Sequence, residues 1–255
     1  MKILRYIAVS LSLYSRIPMP EFEWKDDDMA RSLMFFPSVG LIIACLIALA
    51  NSLDIICGLP LIVRSIITVL IPIILTGGFH LDGFMDTQDA LRSYQSTQKK
   101  IEILKDPHIG AFAVIGLVIQ ILAMIAAVAM ILDINDKEMI VIFSLVFVMS
   151  RALSGITSIC MQKAKKDGML SSETKGNDKA VMTALILWLI LSAALMFCTD
   201  IIKAAAMIAT FAIFCLYYRF MTYKHFKGVS GDTAGYFVTV SETSAAVILA
   251  LITLL

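Results

Sequence analysis

Residues 110–132 read GAFAVIGLVIQILAMIAAVAMIL, a run without a single Asp, Glu, Lys or Arg. A helix needs about 20 mostly apolar residues to cross the hydrocarbon core of a bilayer. A helix also bonds all its backbone N–H and C=O groups internally, which lipid demands. Working outward from this run, six more stretches qualify: 33–57, 59–77, 139–161, 180–199, 201–220 and 233–255. The second follows the first tightly through Cys57-Gly58-Leu59-Pro60, and only Thr199-Asp200 divides the fifth from the sixth. The prediction is an all-α, polytopic integral membrane bundle of about seven transmembrane helices. It forms a single membrane-embedded domain over 1–255.

Composition agrees. Hydrophobic residues make up 59% of the 255 and charged residues 16%, with a mean hydropathy of +0.87. A soluble domain is about 45–50% apolar and about 25% charged. A soluble enzyme, a disordered chain and a disulfide scaffold are excluded. The net charge of +1 leaves no footprint for nucleic acid. Cys45, Cys57, Cys160, Cys198 and Cys215 are widely spaced in or beside apolar runs, without a C-x-x-C, and read as small buried hydrophobes.

The N-terminal segment, 1–32, is too short in apolar residues to span. Ile3, Leu4, Ile7, Leu11 and Tyr14 share one helical face, and Arg16, Pro18 and Pro20 end the pattern. We read it as an uncleaved amphipathic segment at the membrane surface rather than a signal peptide.

Basic residues sort by side. Segments 1–32, 78–109, 162–179 and 219–232 carry five, four, five and three Lys or Arg, seventeen in all. The opposite loops carry Lys137 and Lys203, and Arg64 and Arg151 fall inside spans. The positive-inside rule then makes those four segments cytoplasmic, with the N-terminus inside and the C-terminus outside. The expected setting is the plasma membrane of a prokaryote, with multiple passes through the lipid bilayer.

The chemistry concentrates in Gly77-Gly78-Phe79-His80-Leu81-Asp82-Gly83-Phe84-Met85-Asp86-Thr87-Gln88-Asp89-Ala90. Asp82, Asp86 and Asp89 stand at i, i+4 and i+7, one face of a helix. Like charges so placed repel, and Mg²⁺ with substrate phosphates offsets them well. The bland alternative is a solvated acidic face, although acidic groups at a membrane boundary are costly without partners. Asp106 is either a fourth metal ligand or a cap for the helix that follows. Lys105 is a phosphate partner or a snorkelling lysine. His80 and His108 are bases or structural hydrogen-bonders.

Arg151 and Glu242 lie about 15 Å deep in their spans, by about ten residues at 1.5 Å each. Matched depth and opposite sign point to a buried ion pair, with substrate contact by Arg151 the alternative. Lys227-Gly228-Val229-Ser230-Gly231-Asp232 offers a phosphate-presenting turn, or Asp232 is a helix N-cap. Lys163, Lys165, Lys166, Asp167 and Gly168 form a basic stretch suited to an anionic substrate or lipid.

These blocks together resemble the cobalamin-5′-phosphate synthase family, the adenosylcobinamide-GDP ribazoletransferases of the late cobamide pathway. The likeness runs through Ser15-Arg16-Ile17-Pro18-Met19-Pro20, Phe36-Pro37-Ser38-Val39-Gly40, the Thr76–Asp89 block, Ile103–Phe112, Ser150-Arg151-Ala152-Leu153 and Gly228–Asp232. Ala90 departs from a usual Gly, Thr239 from a more strongly polar or acidic residue, and Lys165–Gly168 matches loosely. The resemblance implies that adenosylcobinamide-GDP donates cobinamide phosphate to α-ribazole or its 5′-phosphate, releasing GMP, with Mg²⁺ as cofactor. On that reading Asp82, Asp86, Asp89 and Asp106 bind metal, and an Asp of the cluster or His80 is the base. Arg92, Lys105, Arg151 and Asp232 contact substrate. Homo-oligomerisation is left open.

Two rivals are weaker. A CDP-alcohol phosphotransferase usually begins its signature Asp-Gly-x-x-Ala-Arg, and Asp82-Gly83-Phe84-Met85-Asp86-Thr87 lacks the Ala-Arg. A cation transporter often shows two related halves, and none is evident.

Overall fold

The structure is a computed structural model that describes residues 2–53, 56, 58–164, 169–174 and 179–254. Among these residues it is helical apart from turns, irregular stretches such as 15–25 and one isolated parallel bridge, Lys163 to Val229. The helices are α1 (Lys2–Tyr14), α2 (Asp26–Ser32), a 3-10 turn (Leu33–Phe35), α3 (Phe36–Ala50), α4 (Leu61–Thr76), α5 (Phe79–Arg92) and α6 (Thr97–Ile103). Then follow α7 (Ala111–Asp133), α8 (Lys137–Cys160), α9 (Met169–Glu173), α10 (Lys179–Thr199), α11 (Ile201–Phe226) and α12 (Gly231–Ile252).

Six helical segments are long and apolar enough to cross a membrane, or seven if the bent pair α4–α5 counts as one span. Burial ranks them. The apolar window of α8 is 83% enclosed by protein and that of α12 67%, whereas those of α7, α10 and α11 are 22–28% enclosed. So α8 and α12 form the centre, and the outer helices turn large side chains such as Ile190, Leu216, Phe220 and Leu122 outward. A continuous exposed apolar belt of this kind is stable in lipid and not in water.

The cysteines correct one expectation. Cys45, Cys160 and Cys198 are exposed on the protein surface and Cys215 is half-buried, so apolar helices present them outward rather than to the core. Cys57 lies outside the described residues.

Element boundaries follow local chemistry. Asp200 caps α11, its carboxylate accepting from Lys203 N at 2.9 Å, so the narrow divide at Thr199-Asp200 is a true helix break. The expected 201–220 span runs on to Phe226, because Arg219, Lys224 and His225 extend the helix rather than leave it. Cations in the last turn suit the negative end of the helix dipole. The segment 219–232 is therefore mostly helical. The first span, expected at 33–57, ends at Ala50, where Asn51 Nδ2 turns to Thr68 Oγ1 at 3.1 Å.

The largest departure is at 59–77. α4 is about 24 Å long at 1.5 Å per residue, short of a ~30 Å core. Gly77 and Gly78 then adopt φ of +64° and +78°, and the chain turns by 94° into α5. Two successive left-handed residues suit glycine almost alone. The expected loop 78–109 thus contains two helices.

The bundle ends differ in charge as expected. Arg16 N donates to Leu75 O at 2.7 Å, tying the N-terminal segment to the α4 end, and Val229 N donates to Gln162 O at 2.8 Å. These contacts and the Gly83–Asp232 contact described below gather the described parts of all four basic segments at one end. At the other, Lys203 pairs with Asp136 at 3.1 Å and Asp200 at 3.0 Å.

Candidate active site at the glycine bend

The bend opens a cleft of about 540 Å³ between the end of α1, the two glycines and the first turns of α5. Ser12, Ser15, Arg16, Thr76 and Asp82 supply its polar side chains. Asp82 is exposed there, while Asp86 and Asp89, further along α5, are half-buried. Asp82 has neither an ion pair nor a side-chain hydrogen bond among the described residues.

α5 lies backbone-to-backbone across α12. A Cβ on Gly83 would sit 2.8 Å from Asp232 O, and one on Gly235 would sit 2.9 Å from His80 O. Thr239 Oγ1 donates to the same His80 carbonyl at 3.2 Å. This crossing carries Asp232 to the acidic helix. Asp232 is not the N-cap of α12. Ser230 is, accepting from Thr233 N at 3.2 Å and also donating to Asp232 at 3.3 Å.

The three carboxylates of α5 meet different surroundings. Asp89 is packed so closely against Gly110, the N-cap of α7, that any side chain there would overlap its carboxylate. A negative charge is favoured at a helix N-terminus. Asp106 lies apart. It does not cap α7, but accepts from His108 N at 3.0 Å and meets His108 Nδ1 at 2.6 Å, both exposed. Those bonds hold its carboxyl below the ordinary carboxylate range. Among the described residues, no three His, Cys, Asp or Glu side chains are grouped to hold a metal unaided. The set Asp82, Asp86, Asp89 and Asp106 is therefore not gathered into one cage.

His80 is buried and does not line the cleft. It sits behind α5 between two small cavities, one shared with Arg151, Glu242 and Gln120, the other with Tyr14, Glu173 and Ser158. Its Nε2 has no partner among the described residues. Arg151 is only 1% exposed and pairs with Glu242 at 2.6 Å, so the buried ion pair is present and Arg151 stands apart from the cleft. Arg92 is exposed and donates to Gln88 Oε1 at 3.2 Å, and Lys105 is exposed. Lys165, Lys166, Asp167 and Gly168 lie outside the described residues.

Sequence reasoning passed over two groups. Arg16 was visible within Ser15-Arg16-Ile17-Pro18 but carried no role, because nothing local links it to Asp82. Glu173 is buried beside Tyr14, and that burial pushes its carboxyl up to about 7; no motif marks it.

Comparison with known proteins fits this architecture. Residues 6–250 match the family described as Cobalamin-5-phosphate synthase. The chain belongs to this family. It is thereby an enzyme of cobalamin synthesis, and the transporter and CDP-alcohol readings fall away. A relative from Lachnoclostridium phytofermentans, named adenosylcobinamide-GDP ribazoletransferase, is 33% identical over 247 residues, covering 96% of this chain and 93% of its own. Proteins of the same name from Clostridium botulinum (strain Alaska E43) and Clostridium perfringens (strain SM101) are 32% and 30% identical. They cover 92% and 96% of this chain, and 93% and 97% of their own. No solved structure matches the chain.

Proposed function

We propose that this protein transfers cobinamide phosphate from adenosylcobinamide-GDP to α-ribazole or its 5′-phosphate, with release of GMP. A ribose hydroxyl of the acceptor attacks the phosphorus next to cobinamide. The new P–O bond forms as the pyrophosphate P–O bond to GMP breaks. The proton of the hydroxyl passes to a base.

The observation that carries this reading is the exposed, unpartnered Asp82 in a cleft at the charged end of an otherwise lipid-facing bundle. Such a cleft admits a large, anionic substrate from the aqueous side. Mg²⁺ typically takes one or two carboxylates, with waters and substrate phosphates completing its shell. Asp82 with Asp86, one helical turn on, suits that demand, whereas a protein-only cage does not. These two residues would hold a magnesium ion arriving with the pyrophosphate, and the chemistry it supplies when bound is neutralisation of charge on the leaving GMP. His80 is enclosed behind the helix, so we assign proton acceptance to a carboxylate of α5.

The seven-span count, with the acidic helix and the N-terminus cytoplasmic, accords with the basic residues gathered at one end. GMP release by the purified protein in lipid vesicles, titrated with Mg²⁺, tests the reading. Release that needs Mg²⁺, both substrates and Asp82 supports it. Release that is indifferent to Asp82→Asn removes the cleft from the chemistry.

A further inference from the structure

We propose that Arg16 is a substrate-binding residue, its guanidinium gripping a phosphate of the nucleotide donor across the cleft from Asp82. This rests on the function proposed above and names a contact within it.

Three observations carry it. First, Arg16 is placed by its backbone: its N–H donates to Leu75 O at 2.7 Å, which fixes the residue at the end of α4. Second, its side chain is laid against the bend. A Cβ on Gly77 would overlap Arg16 Nε and stand 2.8 Å from Arg16 Cγ. Gly77 is thus required twice, for its left-handed backbone and for the room it leaves this side chain. Third, the charge has no counter-ion. Arg5, Arg31 and Arg151 each pair with a carboxylate at 2.6–2.9 Å; Arg16, like Arg64, Arg92 and Arg219, has no ion pair among the described residues, and of these four it alone lines the cleft.

An arginine oriented by packing yet left without an anion is suited to bind one from solution. A guanidinium presents a planar fork that meets phosphate with two parallel hydrogen bonds. The cleft is open and large enough for a pyrophosphate, and Asp82 on its other wall could share a divalent cation with the same group. A lipid phosphate is the other source of this chemistry, since the cleft lies at the bundle end where headgroups gather.

The experiment measures GMP release by wild type, Arg16→Gln and Arg16→Lys. Each is placed in vesicles of phosphatidylcholine alone and in vesicles with added phosphatidylglycerol. A charged hydrogen bond of about 1.5–3 kcal/mol corresponds to roughly 10- to 150-fold in binding. Arg16→Gln should raise the KM for adenosylcobinamide-GDP by that factor in both vesicle types, with the KM for α-ribazole unchanged. Arg16→Lys, which keeps charge but not the fork, should raise it several-fold and keep the wild-type melting temperature. Inorganic pyrophosphate should compete with donor more weakly in both variants. Donor KM within twofold of wild type in either folded variant overturns the proposal. So does an effect confined to vesicles with phosphatidylglycerol, which assigns Arg16 to lipid, or a fall in melting temperature with unchanged donor KM, which makes it structural. If wild type itself releases no GMP, the proposed function fails first, and Arg16 with it.

Discussion

Arg151 Nη1 lies 2.6 Å from Glu242 Oε1, joining the two most enclosed helices of the bundle through an ion pair with side-chain exposures of 1% and 9%. Ser150 Oγ adds a 2.7 Å bond to the same carboxylate oxygen, and Phe147 O accepts from Arg151 at 2.9 Å. The Phe36 and Phe147 rings flank the guanidinium at 5.9 and 6.0 Å. The pair ties α8 to α12, and α12 in turn supports α5 at Gly83. The ion pair therefore supports the acidic helix indirectly.

Removing one partner leaves a buried charge alone, which typically costs about 3–5 kcal/mol. Arg151→Met and Glu242→Gln should each destabilise the protein by that order in detergent unfolding. The double variant should lose clearly less than the two single losses added. Simple additivity would show that the side chains do not act as a pair.

The carboxylates of α5 should separate by role. Asp82→Asn should cut GMP release by about 10²–10³, the usual scale for losing transition-state charge stabilisation. It should also raise the Mg²⁺ concentration needed. Asp89→Asn should act partly through stability, because Asp89 faces the start of α7. Asp106→Asn should leave turnover near wild type, since its carboxylate is engaged with exposed His108. Equal kinetic losses at all three would restore a shared role.

Glu173 gives a pH signature. Its carboxyl lies near 4.5 when unfolded and is raised to about 7 in the fold, chiefly by burial. The folded state then holds a proton that the unfolded state has released. Stability is full below about 4.5, declines as pH rises, and levels off above about 7. The total change is about 3 kcal/mol. Glu173→Gln should flatten this decline and raise the melting temperature at pH 8 more than at pH 5. A parallel pH dependence in both proteins would assign the decline to other groups.

The α5–α12 crossing should tolerate no side chain. Gly83→Ala and Gly235→Ala would each press a Cβ against partner backbone at 2.8–2.9 Å. Each should destabilise by about 1–3 kcal/mol, the usual cost of overpacking, and reduce activity by moving Asp232 from α5. Normal melting and turnover in both would mean that the helices are not in backbone contact.

Topology has its own check. A reporter fused after Leu255 should report the outside, and one inserted within 162–179 the inside. Both on one side would show that α10, α11 and α12 do not all cross, breaking the seven-span map at the narrow divide around Asp200.

The spans were legible because their cause is local and repeated. The apolar runs starting at 110, 139, 180 and 201 appear as α7, α8, α10 and α11 within a few residues at their starts. The end of α11 was not, because Lys224 and His225 read as loop by charge although a helix carries them comfortably in its last turn. The acidic spacing likewise predicted one helix, α5. It did not reveal that Asp82 would face a cleft while Asp89 would face Gly110, since the docking of α7 makes that choice.

By itself the sequence determined that this chain resides in lipid, where its helices begin, and which segments share an end. Apolar content, caps such as Asp200 and the distribution of Lys and Arg act over a few residues, so they can be read without neighbours. Only the tertiary structure decided that Arg16 and Asp82 share a cleft, that Asp232 lies against the acidic helix, and that His80 lies behind it. Those meetings depend on a right-angled turn at Gly77-Gly78 and on backbone contact at Gly83 and Gly235. A glycine allows close approach, but the partner that approaches is set by how the whole bundle packs.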